Sequence, residues 1–479
     1  MKHLNHNWVW ALRARVRRYI RCWHLAVPAL LACVFSFFNL QHFFEDALIY
    51  ARYISHFLEG SGLVYNVGDR FNGLTSPVFS YISIILSYVI GDIILSINLI
   101  SSVSLILVII LAYRLFFRFE PKVDGFFSLM LIACCQYTYS LFGMETILFV
   151  AIILLALLLY RDGKTSYLMI VLALLFLVRS EGIFLILPII FMHFKEGRCF
   201  PKIEYFLIPV AIVLFHYTVT WQYYGWIFPE TAMAKIYQGS SGLFGEASPL
   251  FISSSYYLVD WYFLDSKVLL FSLVTLAVLG VFKLGWSSLN VITVVFLCLL
   301  LSFYCIINIP NYHWYNAPFI YFMFIYSGLG LGLVLDKILS VGKYRILVPL
   351  IGGLLISSAL ISHLELGAPD HPYSKIADWF VENTESSASI AMVEIGIIGF
   401  FSDRIIVDIL GLVNPYNAKL IGQRDYSGWL EHYDPDYIFV HDPVWVHEVS
   451  VGSAVKSGRY TEDSTFDFKG YKLYKSVKK

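Results

Sequence analysis

Two adjacent carboxylates, Glu45 and Asp46, stand where the first strongly apolar segment of this chain ends. The stretch that follows, Glu45 to Pro77, is too polar for a membrane span, and its first half has helical spacing. On such a helix Asp46, Tyr50 and Tyr53 fall on one side at i, i+4 and i+7, while Glu45 and Arg52, seven apart, share an adjacent side. Gly60, Gly62, Gly68 and Gly73 then break it into turns. A carboxylate pair anchored at a membrane surface beside cations and tyrosines is equipped for proton transfer there. An interfacial helix with a solvated polar face and an aromatic anchor has the same pattern, and the residues alone leave both readings open.

The elements that must position this pair are mostly apolar. Hydrophobic residues make up 58% and charged residues 14% of 479, and the mean hydropathy is +0.69, which indicates a polytopic α-helical membrane protein and not a soluble domain. Apolar runs that suit about 30 Å of hydrocarbon recur from residue 24 to residue 362, giving about 11 to 13 transmembrane helices. Past 363 the hydropathy falls and charge returns. The expected organisation is a transmembrane module over 1–362, with a large first external loop at about 40–76, and a soluble α/β domain over 363–479. That domain opens with an amphipathic helix at Pro372 to Glu382 and carries strand-like runs at Ser389 to Val393, Ile405 to Ile409 and Tyr437 to Val440.

Arg13, Arg15, Arg17, Arg18 and Arg21 crowd the N-terminal flank of the first span and place that end in the cytoplasm by the positive-inside rule. Without a small-residue cleavage site, the first apolar run reads as an uncleaved span. The basic loops at Arg161 and Lys164, at Lys195, Arg198 and Lys202, and at Lys337, Lys343 and Arg345 fall on the same side. Gly143-Met-Glu-Thr146, Arg179-Ser-Glu-Gly182, Trp221 to Asp260, Asn308 to Asn316 and the C-terminal domain then face outward. Two full crossings at 75–90 and 93–117 would invert this and put Arg114, Arg118 and Lys122 outside. One of these early segments must therefore be short, re-entrant or interfacial. No cysteine follows Cys305, so no disulfide framework staples the C-terminal domain. The chain has no P-loop, HExxH or CxxC motif, and soluble nucleotide chemistry has no support.

The outer loop closely resembles the first external loop of the GT-C superfamily of polyprenyl-phosphate-dependent glycosyltransferases. It is most similar to the terminal arabinofuranosyltransferases of the cell envelope, whose pattern is an acidic pair followed by AxIxxRYxxNLxxGxGLVYNPGExVEGYTxP. The match runs through Glu45-Asp46-Ala47, Ile49, Arg52-Tyr53, Leu58, Gly60, Gly62-Leu-Val-Tyr-Asn66, Gly68, Gly73 and Thr75 to Pro77. Weaker echoes follow in Gly143-Met-Glu-Thr146, Arg179-Ser-Glu-Gly182, Tyr223-Tyr-Gly225, Pro229-Glu-Thr-Ala-Met-Ala-Lys235 and Gly396 to Leu412. Leu48 replaces an aromatic residue, Asn72 a glutamate and Glu230 an asparagine.

The resemblance implies an inverting transfer of a sugar, arabinofuranose being favoured, from polyprenyl phosphate to an extracytoplasmic acceptor. The acceptor would be an envelope glycan, a lipid-linked saccharide or a surface protein such as a pilin, and no nucleic acid is involved. Such a reaction needs a base for the acceptor hydroxyl and positive charge for the departing lipid phosphate. Asp46 is the candidate base, with Glu45 beside it to raise its basicity. Arg52, Arg70, Arg179 and Lys235 are candidate phosphate ligands, and Tyr53 and Tyr224 join them as donor-site candidates. Membrane-interface snorkelling is the alternative for each cation. Glu145 and Glu181 pair with Arg52 or Arg179, hold a divalent cation with Asp46, or simply cap helix ends. His313, Trp314 and Tyr315 form an aromatic platform for an acceptor or an ordinary aromatic belt. No cofactor is required, and a divalent cation remains open. The expected location is a bacterial cytoplasmic membrane with the site facing the periplasm. Two other classes fit the composition: a flippase or other transporter of lipid-linked sugars, and an inactive glycan-binding assembly protein.

Overall fold

The computed structural model describes residues 23–118, 122–199, 201–263, 265–338, 351–361 and 371–477. The basic N-terminal flank, Lys343, Arg345 and the expected boundary at 363 lie outside these residues. The apolar part opens with α1 (Trp23–Phe38), α2 (Glu45–Leu58), α3 (Pro77–Ile90) and α4 (Ile93–Ala112), which a π-helical turn extends to Phe117. Then come α5 (Lys122–Cys134), α6 (Thr146–Arg161), α7 (Thr165–Val178), α8 (Ile183–Lys195), α9 (Glu204–Tyr224) and α10 (Glu230–Ser240). After α11 (Lys267–Leu284), α12 (Ser288–Ile306) and α13 (Ala317–Ile338), residues 351–361 form α14. Among the described residues, five helical stretches have the length and composition to cross a membrane: Ile93–Phe117, Glu204–Tyr224, Lys267–Leu284, Ser288–Ile306 and His313–Leu335. Shorter apolar helices include α1, α3, α6 and α7.

The early topology conflict is resolved by α3. Pro77 starts this helix, where its missing N–H is no loss, and Gly91 ends it in the left-handed conformation. Phe79 near its start, Ile84 and Leu86 further along, and Ile93, Ile94 and Ile97 at the start of α4 all pack in one cluster with α2 and the C-terminal domain. The helix therefore stays at the face that carries that domain, and α4 makes the next descent. At the far end of α4, the Arg114 carbonyl accepts from Arg161 Nη1 at 2.8 Å, and Tyr160 O accepts from Arg198 Nη1 at 2.9 Å. The basic turns after α4, α6 and α8 thus gather on the opposite face.

Close backbone contact ties the later helices together. A Cβ on Gly280 would lie 2.0 Å from Tyr326 O, and one on Gly330 would lie 1.8 Å from Leu276 O, so α11 and α13 meet at glycine.

In the C-terminal part, α15 (Pro372–Asn383) covers a five-stranded sheet of β1 (Ser389–Met392), β2 (Ile405–Asp408), β3 (Tyr437–His441), β4 (Tyr460–Glu462) and β5 (Tyr471–Ser476). The order is β2-β1-β3-β5-β4; β1 is parallel to both β2 and β3, while β5 runs antiparallel to β3 and β4. A second core joins this domain to the outer loop: Ala47, Tyr50, Ile54, Phe79 and Ile97 pack with Ile376, Phe380, Ile390 and Phe439. Buried apolar surface shared in this way makes loop and domain one packed unit.

Candidate active site

Asp46 lies in the first turn of α2, where the helix dipole favours an anion. The buried face of α2, with Ala47, Leu48, Ala51 and Ile54 fully covered, fixes the direction of that turn. Above it α16 (Ile397–Ser402) packs end-on: Glu45 accepts hydrogen bonds from Gly396 N and, at 3.0 Å, from Ile397 N. A Cβ at Gly396 would overlap the Glu45 backbone carbonyl, so only glycine admits this approach. Burial, helped by Glu394, pushes the Glu45 carboxyl up to about 8 against the pull of those two amides. Burial also raises Asp46, and Lys235 opposes it.

Lys235 comes from α10, is 8% exposed and has its Nζ 3.8 Å from the Tyr312 ring centroid and 5.6 Å from that of Trp314. Burial pushes this ammonium down to about 8, while Asp46 and Asp408 hold it up. Asp46 and Lys235 are thus close enough for each to move the other's ionisation.

Two cavities meet at this pair. One, of about 370 Å³, lies toward the membrane helices and is lined by Tyr50, Glu145, Phe176, Arg179, His216 and Trp314 among others. The second, of about 620 Å³, lies beneath the outer sheet and includes Glu394, Trp445 and His447 in its wall. Asp46, Lys235 and Leu412 belong to both. Next to the first cavity an apolar groove of about 310 Å³ runs between α7, α8 and α9, and Phe176 lines both.

Arg179 is already engaged. Its Nη1 donates to Glu145 at 2.7 Å, its Nη2 donates to Glu181 at 2.9 Å, and its guanidinium lies 5.1 Å from the Tyr315 ring centroid. Among the described residues Lys235 makes no ion pair within 4 Å, which leaves it the cation in this wall without a carboxylate partner at contact distance. No group of three His, Cys, Asp or Glu among the described residues is arranged to hold a metal ion.

Two departures from the family pattern meet in space. Asn72 N donates to Glu230 Oε2 at 3.2 Å, Glu230 N donates back to Asn72 O at 2.8 Å, and Asn72 Nδ2 donates to Phe228 O at 3.1 Å. Where the arabinofuranosyltransferase pattern has glutamate and then asparagine, this chain has the two types exchanged across one contact.

The comparisons with known proteins agree with this architecture. Residues 363–476 match a family described as a domain of unknown function (DUF8728). No curated protein matches the chain at the sequence level. Among solved structures, the archaeal oligosaccharyltransferase AglB from Archaeoglobus fulgidus, in complex with an inhibitory peptide and a dolichol-phosphate, superposes with a TM-score of 0.58 at 14% identity. That match covers 95% of this chain and 74% of AglB. ArnT from Cupriavidus metallidurans, bound to undecaprenyl phosphate, gives a TM-score of 0.60 at 10% identity over 94% of this chain and 97% of ArnT. The chain shares the fold of these two proteins.

Within this fold the residues singled out from sequence part into three groups. Asp46, Lys235, Arg179, Glu145, Glu181, Trp314 and Tyr315 share the first cavity. Arg52, Tyr53, Tyr224, Arg70 and His313, expected at the donor or acceptor, line neither of these two cavities. Arg52 is 3% exposed and donates to Tyr65 O at 2.7 Å, Gly399 O, Arg404 O at 2.6 Å and Asn66 Oδ1 at 3.3 Å. Tyr53 donates to Phe71 O, and Tyr224 donates to Leu63 O. Arg70 lies over the Tyr223 ring, at 5.0 Å, and the His313 ring is turned to Ser140 O. Glu45 forms the third group, lining the second cavity while its carboxylate holds the outer domain.

Much of the family-like loop is therefore a bracket. Tyr65 OH donates to Ile395 O at 2.5 Å, and the Asn66 amide bonds both Ile406 O at 2.9 Å and Ile406 N at 3.1 Å. Arg52→Met should lower stability by on the order of 3–5 kcal/mol, because it strips a buried cation from its carbonyls. Thermal unfolding of the detergent-purified protein reads this directly, and a wild-type melting curve would return Arg52 to the donor-site candidates. Glu394, Trp445 and His447 were not anticipated from sequence. Their one available signal was position just past strand-like runs.

Proposed function

We propose that this chain is an integral-membrane glycosyltransferase that moves a sugar from a polyprenyl-phosphate donor to an acceptor hydroxyl at the face carrying the sheet domain. One observation carries the reading: Asp46 and Lys235 stand together in the wall between a cavity facing the membrane helices and a cavity facing the outer domain. The apolar groove at Leu172, Phe176, Pro209 and Leu214 continues from the first cavity and suits the polyprenyl chain. The known binding of dolichol-phosphate by AglB and of undecaprenyl phosphate by ArnT supports a lipid phosphate here.

In the proposed reaction the acceptor oxygen attacks the anomeric carbon from the side opposite the phosphate, so the configuration inverts. The new carbon–oxygen bond forms as the bond to the phosphate oxygen breaks. The acceptor proton passes to Asp46, and the electron pair of the broken bond goes to the lipid phosphate, which becomes a dianion beside Lys235. Arg179 enters together with Glu145 and Glu181 and lines the cavity; its guanidinium is already taken up by these two carboxyl partners. Arabinofuranose is the proposed sugar, on the loop motif from Glu45 to Pro77. The proposed location is a bacterial cytoplasmic membrane with the site facing the periplasm, a reading that the basic turns on the opposite face support.

The test is transfer by the purified protein in lipid nanodiscs from synthetic polyprenyl-phosphate pentoses and hexoses, with free polyprenyl phosphate and glycosylated acceptor detected by mass spectrometry. Release of lipid phosphate with one sugar supports the reading, and release from arabinofuranose alone supports the finer one. A folded protein that turns over no donor, yet moves the intact lipid-linked sugar across proteoliposome membranes, overturns it in favour of a flippase.

A further inference from the structure

The three parallel strands of the outer sheet end together over Asp46. In the order β2-β1-β3 the chain leaves β1 to one side to form β2 and returns on the other side as β3, so the loops diverge above β1. In open α/β sheets this divergence at the carboxyl ends of the strands is where ligands bind. Here the loop after β1 supplies Glu394, the loop after β2 supplies Leu412, and the loop after β3 supplies Trp445 and His447 to the 620 Å³ cavity. That volume lies in the range that encloses small ligands.

The loop after β3 is organised from beneath. Glu448, 1% exposed, accepts from His441 N at 3.2 Å, Trp445 N at 2.8 Å and His441 Nδ1 at 2.9 Å. Held this way, the His441 ring lies flat against Trp445, with centroids 3.5 Å apart and an interplanar angle of 6°. Its Nε2 stands 3.9 Å from Glu394 Oε1. Trp445 is 43% exposed, so the indole keeps open surface while His441 backs it. His447 is 8% exposed, lines the cavity, and has an Nε2 that is buried with no hydrogen-bond partner. Buried polar atoms in folded proteins are nearly always paired, and an orphan in a cavity wall points to a missing ligand group. Burial keeps the His447 ring below its ordinary value and so uncharged near neutral pH, able to accept from a hydroxyl.

We infer that this wall is an acceptor subsite for a neutral saccharide, whose ring lies on the open surface of Trp445 and whose hydroxyls donate to Glu394 and His447 Nε2, leaving a further hydroxyl at Asp46. The inference rests on the glycosyltransferase reading and names the acceptor class for it. An aromatic face takes the C–H face of a sugar ring, while a carboxylate and an imidazole nitrogen take its hydroxyls. A peptide that docks by strand addition would need a free strand edge. The edge at β2 is already bonded by Asn66 at Ile406, and the cavity sits at strand ends. Glu394 is a positioning residue here, while proton transfer stays with Asp46.

The experiment is calorimetric titration of the full chain in lipid nanodiscs with neutral arabinofuranosyl, mannosyl and galactosyl trisaccharides, with a hydroxyl-bearing peptide, and separately with undecaprenyl phosphate. At least one trisaccharide should bind the wild type, and Glu394→Gln and Trp445→Ala should each weaken it tenfold or more while undecaprenyl phosphate binds all three proteins equally. Glu394→Gln keeps size and leaves the Glu448 contacts alone, so it reads the subsite even where Trp445→Ala disturbs the loop. Absence of trisaccharide binding in a protein that binds undecaprenyl phosphate overturns the inference. So does trisaccharide binding that both substitutions leave unchanged, or a preference for the peptide. A wild type that binds a trisaccharide in the Glu394-dependent way but ignores undecaprenyl phosphate supports the saccharide subsite and overturns the donor reading.

Discussion

Asp46→Asn should reduce sugar transfer by about 10²–10⁴-fold, the range for removal of a positioned general base, while the protein stays folded and still binds undecaprenyl phosphate. The substitution keeps shape and removes only the ability to hold a proton. Among the described residues Asp46 accepts no backbone amide in the way Glu45 does, so its loss takes no bracket from the outer domain. The assay is initial rate of polyprenyl phosphate release with a thermal melt on the same preparation. Release at the wild-type rate with an intact melt would remove Asp46 from the chemistry. Loss of the melt together with the rate would make Asp46 a structural partner of Lys235. Arg52→Met provides the contrast, since it should lose stability first and activity only as a consequence.

Lys235→Met carries the second large effect, a fall of about 10²–10³-fold in kcat/KM, as for other lost electrostatic contacts to a developing anion. The pH profile adds an independent reading of the same group. Turnover needs Asp46 ionised and Lys235 protonated, so kcat/KM should be bell-shaped. Lys235 is pushed down to about 8 by burial, with Asp46 and Asp408 pulling the other way and the Tyr312 and Trp314 rings facing it. Its charge is present below that value and lost above it, so the alkaline limb should fall near pH 8. Asp46 is raised by burial, so the acid limb should lie above the ordinary aspartate range. Lys235→Arg keeps its charge at every accessible pH and should move the alkaline limb upward. An unmoved limb in Lys235→Arg would show that another group sets it.

The polytopic membrane class and a C-terminal part carrying strands were legible in the chain, and the Glu45–Pro77 motif could be picked out from it. Hydropathy is a local property summed over a window, and a contiguous motif needs no knowledge of distant partners. Asp46 could be singled out for the same reason. The division of labour inside the motif was not legible. Arg52, Tyr53 and Asn66 carry as strong a sequence signal as Asp46, yet they bond backbone groups of the loop and, through Arg52 and Asn66, of residues near 400. A motif records that residue types are needed and not whether substrate or protein needs them.

The sequence by itself determined that this chain lives in a membrane and brings an acidic pair to one surface, because burial in hydrocarbon and helical spacing act residue by residue along the chain. Only the tertiary structure decided that α3 stays at that surface, that Glu145 and Glu181 both engage Arg179 while Lys235 has no carboxylate at contact distance among the described residues, and that three strand ends close a second cavity over Asp46. Each of these depends on side chains far apart in sequence arriving at one point. Charge balance and cavity shape are set by which groups meet there, and no local pattern encodes that meeting.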